Sequence, residues 1–311
     1  MTICPITYEP ADDQEGRYSR KGLQRLSRAL TRLSDFPMSA DEQLAEAAAR
    51  ADKISIQGMQ PKLSARIDAR AATFVLVDEH AEYILKPPNP AYPELPQNED
   101  LTMRLAARAK IEVPFHGLVY ARDGSMTYFI KRFDRAAKGA KLAVEDFAQL
   151  GGRTRDTKYD SSMERVVRVI QTHATFPLIE HAKLFRLTLF NFLVGNEDMH
   201  LKNFSLITHG DKVELSPAYD LVNTTIALRS PLEELALPLN GKKRNLTRND
   251  LVLYFGRERM SLEQKVVEKT LEQLSRAIRG FDELIARSFL SEAAKQRYLS
   301  LVHQRRARLF E

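Results

Sequence analysis

Apolar positions recur at strand-like intervals up to about Arg135 and at helix-like intervals after it. Between residues 53 and 135 the pattern predicts a strand, a glycine-centred turn and a second strand over 53–67, then short strands at 74–77 and 82–86. A single helix of apolar period opens at Asn98-Glu99 and runs to about Ala109. Beyond Arg135 helices are expected over 144–150, 162–172, 178–195, 246–255, 262–279, 281–289 and 292–310. They are interrupted by one hairpin, 204–207 and 212–215 around His209-Gly210-Asp211. Val266, Val267, Leu271, Leu274, Ile278 and Leu284 read as core positions of these helices. Ahead of the first strand the chain starts raggedly through Gly16 and then reads as helices over 21–33 and 40–51, the second capped by Ser39. The expected organisation is an α+β chain in three parts: an N-terminal helical extension at 1–52, a β-rich part at 53–135 and a helical part at 136–311.

The chemistry concentrates directly behind the apolar segment that ends at Gly195, in Asn196-Glu197-Asp198-Met199-His200-Leu201-Lys202-Asn203-Phe204. A polar loop hung on a buried helix can hold its side chains still, as a reactive site requires. Asp198 and Asn203 stand at the Asp-x-x-x-x-Asn interval with which kinases turn a carboxylate to the acceptor hydroxyl and an amide oxygen to Mg²⁺. After the hairpin comes Pro217-Ala218-Tyr219-Asp220, whose acid stands where a further metal ligand is needed. The interval alone also fits a solvated loop in which Asp198 caps a helix and Asn203 sits in a turn.

Upstream residues narrow the choice. The turn around Gly58 in Ser55-Ile56-Gln57-Gly58-Met59-Gln60-Pro61-Lys62 could cover a nucleotide's phosphates with backbone amides and Lys62, or be a plain hairpin. Lys86 closes a strand that Pro87 terminates, a place suited equally to binding α/β-phosphates and to a solvated strand end. Glu99 begins the following helix, where it can pair with Lys86 and also complement the helix dipole.

The motifs Ser55 to Lys62, Ile84-Leu85-Lys86-Pro87, Tyr128-Phe129-Ile130-Lys131-Arg132-Phe133-Asp134-Arg135, Gly195 to Ser205 and Pro217 to Asp220 resemble, in that order, the signatures of the HipA family of bacterial serine/threonine kinase toxins. The resemblance runs from about Ile54 to near the C-terminus. It implies a two-lobed protein-kinase-like fold, with a small β-rich N-lobe and a larger, mainly helical C-lobe. It implies ATP and Mg²⁺ as cofactors, Asp198 as catalytic base, Lys202 near the γ-phosphate, and Asn203 and Asp220 as metal ligands. Lys86 would bind the ATP phosphates with Glu99 as partner, under a loop containing Gly58 and Lys62. Lys131, Phe133 and Asp134 would form the hinge, its backbone at adenine and Asp134 near the ribose. Ser55 would be autophosphorylated, and its added charge of about −1.5 to −2 would repel nucleotide or push the loop outward. His200 is expected to serve the loop structurally.

The stretch before the Gly-rich loop is shorter than the extra N-terminal subdomain of the longer toxins, which resembles the HipT kinases of three-component HipBST systems. That likeness implies a HipS-like small protein and a HipB-like DNA-binding antitoxin as partners, an aminoacyl-tRNA synthetase as protein substrate, and growth arrest as the outcome.

Composition then sets limits. With 311 residues, 43% hydrophobic and 28% charged, the chain can fill two lobes. One cysteine, Cys4, excludes an internal disulfide or thiolate cluster, points to a reducing cytoplasm, and reads as an inert terminal residue. The longest apolar run falls well short of the ~20 residues of a membrane span, so a cytoplasmic, non-membrane protein is expected. The net charge of +6 is diffuse apart from Lys242-Lys243-Arg244 and Arg305-Arg306-Ala307-Arg308. Without a basic stripe or recognition helix, DNA is expected to be reached only through the antitoxin. The polar stretch 153–160 is expected to be a loop, either solvated or facing the protein substrate. Two rival functions share parts of this pattern: a small-molecule kinase of the aminoglycoside or lipid type, and a kinase-like binding scaffold.

Overall fold

The computed structural model describes residues 2–13, 16–50, 60–136, 139–154, 156–228 and 233–311. The expected loop residues Ser55 and Gly58 lie outside them. The chain divides into two units: Met1–Leu101 with Pro114–Gly139 and Arg287–Leu290, and Thr102–Val113 with Ala140–Ala286 and Ser291–Glu311.

In the first unit the β-type runs pair into one antiparallel sheet of β1 (Leu63–Asp68), β2 (Thr73–Leu76), β3 (Tyr83–Lys86), β4 (His116–Tyr120) and β5 (Met126–Lys131). The spatial order is β2-β1-β3-β5-β4. The register between β3 and β5 sets Lys86 opposite Tyr128. One face of the sheet is an aromatic cluster in which Phe74, Tyr83 and Phe129 have ring centroids 5.3 to 5.9 Å apart, the offset and edge-on spacing that aromatic pairs favour.

The N-terminal residues share that core. Helices α1 (Arg20–Leu26) and α2 (Ala40–Ala49) contribute Leu23 and Ala47, and Cys4, Ile6, Tyr18 and Phe36 are buried with them. Cys4 is therefore a core residue and not a loose terminal one; its Sγ accepts from the Ile6 N–H at 3.4 Å. The helix expected over 21–33 stops at Leu26, where Ser27 is extended at φ −157°. Leu30 and Leu33 are still buried, in non-helical chain, so their helical spacing served packing without helix. Helix α2 carries the capping box of Ser39 with Glu42. Helix α3 (Leu95–Arg108) starts three residues before the expected Asn98; by the division above, its residues 95–101 belong to the first unit and 102–108 to the second.

The second unit is built on α6 (Pro177–Val194), which is buried from Leu187 through Val194. Around it stand α5 (Met163–His173), α8 (Gln264–Ile278), α9 (Phe281–Ala286) and α10 (Glu292–Phe310). A small antiparallel sheet has the order β6 (Ala143–Asp146), β7 (Ser205–His209), β8 (Lys212–Leu215). The helix expected over 144–150 is thus half strand: Asp146 pairs with Ser205 and then caps the single turn α4 (Phe147–Leu150) by accepting from the Gln149 N–H at 2.8 Å. A second short helix, α7 (Thr224–Ala227), follows Asp220. The helix expected over 246–255 lies at Asn249–Arg259 and is wound in wide π-type turns, the Phe255 carbonyl accepting from Met260 N at 3.1 Å. Gly256 in it packs against the Phe185 ring, where an added Cβ would stand 2.8 Å from Cε2. Among the described residues no helix is long and apolar enough to cross a membrane.

Candidate active site

In the first unit the expected nucleotide-binding lysine is the last residue of β3, and the following prolines end the strand there. Lys86 Nζ donates to Glu99 Oε1 at 2.5 Å, with side chains 2% and 0% exposed. The ammonium also stands 5.6 Å from the centre of the Tyr128 ring. Withdrawing both ions from water costs several kcal/mol each, which their attraction at best offsets, so stability alone gives little reason for such a pair. At the start of β4, His116 Nδ1 meets Asp100 Oδ1 at 2.8 Å, a second buried contact at the helix position after Glu99.

The segment expected to be the hinge leaves β5 through Lys131, which is exposed, and Phe133, which is half-buried in the ensuing turn. Asp134 is held by two arginines: Arg132 Nε and Nη2 bind Oδ1 and Oδ2 at 2.9 and 2.6 Å, and Arg135 Nη1 binds Oδ2 at 2.7 Å. Burial pulls the Asp134 carboxyl up, but the Arg132 and Arg135 guanidiniums outweigh it and hold it below the usual carboxylate range. A ribose hydroxyl at Asp134 would have to share these oxygens, which have lone pairs to spare. Lys62 stands half-buried immediately before β1.

In the second unit the loop begins where α6 ends on Gly195, at φ 67° and ψ 41°. An added Cβ there would lie 2.5 Å from both Leu301 Cδ2 and Thr225 Oγ1, so the left-handed stop requires glycine for its conformation and for space. The buried Asn196 amide binds Asn191 Oδ1 at 3.2 Å and its Oδ1 accepts from the Asp198 N–H at 3.2 Å, anchoring the loop to the helix. The Asp198 carbonyl accepts twice, from the His200 N–H at 2.8 Å and from Asn203 Nδ2 at 2.9 Å. Asn203, at the end of the 3-10 turn Leu201–Asn203, thereby turns its amide nitrogen inward and leaves the carbonyl Oδ1 as the end able to meet a cation. The Asp-x-x-x-x-Asn interval thus closes a ring, with backbone and amide fixed and the Asp198 carboxylate outside it, 52% exposed.

Asp220 has φ +54°, a left-handed conformation that costs a non-glycine residue about 1 kcal/mol and that Asp adopts more readily than most. Its neighbour Tyr219 donates to the Lys202 carbonyl at 2.9 Å and lies 2.6 Å from Ser205 Oγ, tying the Asp220 segment to the loop. Beyond it, Thr224 Oγ1 accepts from the Glu197 N–H at 2.7 Å and donates to the Gly195 carbonyl at 3.1 Å. Lys202 Nζ stands 3.6 Å from Asp146 Oδ2. His200 is buried; burial, with the Lys158 charge, holds its imidazole below the ordinary range against the pull of Asp198 and Asp220.

The sequence therefore placed Lys86 with Glu99, and Asp198 with Asn203, and the structure brings the members of each pair together. It missed three groups at the loop: Asp146 beside Lys202, the Thr224–Thr225 clasp, and Tyr159, whose hydroxyl donates to Asp198 Oδ1. Only Tyr159 had a signal, since it stands in the polar stretch already noted as a loop.

The family described as HipA-like C-terminal domain matches residues 54–280. A Haemophilus influenzae protein named as a candidate kinase is 31% identical over 262 residues, which cover 77% of this chain and 74% of its own length. The Shewanella oneidensis serine/threonine-protein kinase toxin HipA is 27% identical over 191 residues, 55% of this chain but only 43% of the relative. Against a chain of the solved Shewanella oneidensis complex of HipA, HipB and operator DNA, the TM-score is 0.62 at 22% identity, covering 88% of this chain and 72% of that one. At that identity the likeness bears on the fold, which is the mixed α/β architecture of HipA, a β-sheet with a helical portion. With the match extending over most of its length, this chain belongs to the family of the HipA-like C-terminal domain.

Proposed function

We propose that the chain is the kinase toxin of a bacterial toxin–antitoxin system, transferring the γ-phosphoryl group of ATP to a serine or threonine hydroxyl of a protein. The observation that carries this is the buried Lys86–Glu99 pair at the end of β3. A lysine held by a glutamate at 2.5 Å, away from water, suits a fixed positive charge for phosphate oxygens, and that pair has to be in place for a kinase to work. Family membership and the ring closed by Asp198 and Asn203 support the same reading.

Each residue then has a task. Lys86 neutralises the phosphates, with Glu99 holding it; the backbone at Lys131 to Phe133 reads adenine, and Asp134 shapes the hinge near the ribose. Asn203 Oδ1 and the Asp220 carboxylate are hard oxygen donors of the kind Mg²⁺ prefers, and they would hold it with the nucleotide. When bound, that ion supplies charge neutralisation at the transferring phosphate. Asp198 aligns the acceptor hydroxyl and takes its proton as the oxygen bonds to the γ-phosphorus and the bond to the ADP oxygen breaks. Lys202, restrained near Asp146, adds positive charge on the γ-phosphate side.

The finer reading follows the family resemblance. It is that of a HipT-like kinase with a HipS-like protein and a HipB-like antitoxin as partners, DNA being reached through the antitoxin. Shewanella oneidensis HipA is itself found with HipB and operator DNA. An aminoacyl-tRNA synthetase is the proposed substrate, growth arrest the outcome, and Ser55 the site of autophosphorylation. The test is phosphoproteomics of a bacterial lysate incubated with Mg-ATP and the purified chain. Wild type should add phosphate to serine or threonine of one or a few proteins, and Asp198→Asn to none. ATP turnover on a small alcohol with no protein labelled would instead favour a small-molecule kinase.

A further inference from the structure

The carboxylate that should receive an acceptor hydroxyl already holds one. Tyr159, on the polar stretch ahead of α5, donates its hydroxyl to Asp198 Oδ1. The ring is placed by two other contacts, and a backbone bond of its neighbour holds the stretch. The ring stands edge-on to His200, centroids 5.0 Å apart and planes at 85°. The Lys158 ammonium lies 4.9 Å from its centre. Next to it the Lys158 carbonyl accepts from the Leu201 N–H at 3.3 Å, fastening this stretch to the loop that carries Asp198. His200 Nε2, at 4.0 Å from the same Oδ1, is beyond hydrogen-bond reach, so the phenol is the donor there.

A serine or threonine hydroxyl entering for transfer must offer its proton to this carboxylate from the same distance and in the same sense. We propose that Tyr159 belongs to the acceptor site as an internal pseudo-acceptor: its hydroxyl fills the hydrogen-bonding position on Asp198 that the incoming hydroxyl, or water, must take. This rests on the reading of Asp198 as the group that aligns the acceptor. Two consequences distinguish it from a merely structural tyrosine. The phenol competes with acceptors and not with nucleotide, and it guards ATP against water while no protein substrate is docked. Displacement is the task of a substrate that binds well enough elsewhere to evict it, which makes Tyr159 a selector for docked proteins over small alcohols. Tyr159 is 40% exposed, so its side chain can leave without opening the core.

The charges facing the phenol agree with a protonated donor. Burial pushes its hydroxyl up, the Asp198 bond and charge add to this, and Glu233 contributes in the same sense. Tyr159 therefore stays protonated throughout the range in which a kinase works.

The test uses the full chain with Mg-ATP and water as the acceptor, reading ADP release, and compares wild type with Tyr159→Phe, which keeps the ring and removes the hydroxyl. A pseudo-acceptor that leaves Asp198 open about one tenth of the time predicts a roughly tenfold faster hydrolysis in Tyr159→Phe, with KM for ATP unchanged. Asp198→Asn should abolish the hydrolysis in both backgrounds. A spectrophotometric tyrosine titration supplies the second readout: wild type minus Tyr159→Phe should contain one late-titrating tyrosine, and Asp198→Asn should bring it earlier. Hydrolysis by Tyr159→Phe at or below the wild-type rate overturns the proposal, as does a titration that Asp198→Asn leaves unmoved. If no protein releases ADP while the titration still reports the contact, the kinase reading has failed and the pseudo-acceptor falls with it.

Discussion

The two groups of charged residues are kept in opposite ways. Lys86 and Glu99 are withdrawn from water with side chains 2% and 0% exposed, whereas the Asp198 side chain is 52% exposed and carries its constraint in the backbone beneath it. Under the proposed function the difference follows from what each would meet. A residue that neutralises a bound nucleotide works best as a fixed charge in a low-dielectric setting, where attraction is strong and no reorganisation is needed. One that receives a succession of acceptor hydroxyls has to be reachable, so its precision comes from Asn203 and His200 bonding its carbonyl. Burial organises the first and a closed loop the second.

Substitutions can break this contrast at either end. The largest effect is expected at the open end: Asp198→Asn should slow transfer about 10²–10⁴-fold, the usual worth of a positioned acid–base group, with melting temperature almost unchanged. A comparable loss of melting temperature would mean that Asp198 serves the fold. At the buried end Lys86→Ala strands a glutamate away from water and should cost about 3–5 kcal/mol of stability in addition to activity. The sharper variant is the double change Lys86→Met with Glu99→Leu. It should recover most of that stability and none of the transfer, because a well-packed apolar pair is often as stable as a buried ion pair. Recovery of activity with stability would sever Lys86 from nucleotide binding.

How far these two regions could be read beforehand differs for the same physical reason. The loop was legible because its chemistry is contiguous: Asp198 and Asn203 are fixed by a five-residue interval, and Gly195 announces the end of α6. Lys86 and Glu99 were legible only through their order along the chain, since nothing local says that a strand-end lysine turns inward. The groups from distant parts of the chain escaped notice. Asp146 was assigned to a helix that its pairing with Ser205 makes a strand, and Tyr159 looked like one more residue of a polar stretch. Likewise Cys4 and Ile6 seemed to belong to a ragged start, although the core of the sheet unit claims them. Tertiary pairing decides such positions, and local period carries little trace of it.

Smaller effects probe how the loop is held. Tyr219→Phe removes the hydroxyl bonded to the Lys202 carbonyl and Ser205, and should lower stability by about 1–3 kcal/mol while reducing kcat more than it raises KM for ATP. Unchanged kcat would separate the Asp220 segment from the catalytic loop. The smallest expected effect is on pH dependence. His200 has its folded pKa lowered, so it binds fewer protons folded than unfolded below about pH 6.5, and the stability it contributes above that pH is lost as pH falls. His200→Gln should therefore show a smaller drop in melting temperature between pH 7.5 and 5.5 than wild type. An equal drop would assign the acid sensitivity to other groups.

The central claim, that this chain moves a phosphoryl group with Asp198 as its base, is tested most directly by intact mass after incubation with Mg-ATP, starting from protein verified as unphosphorylated. Wild type should gain one phosphate and Asp198→Asn none, with Ser55→Ala losing the gain if the site is the one proposed. An equal gain by wild type and Asp198→Asn would contradict the role of Asp198, and no gain together with no ADP formed would contradict the kinase reading itself.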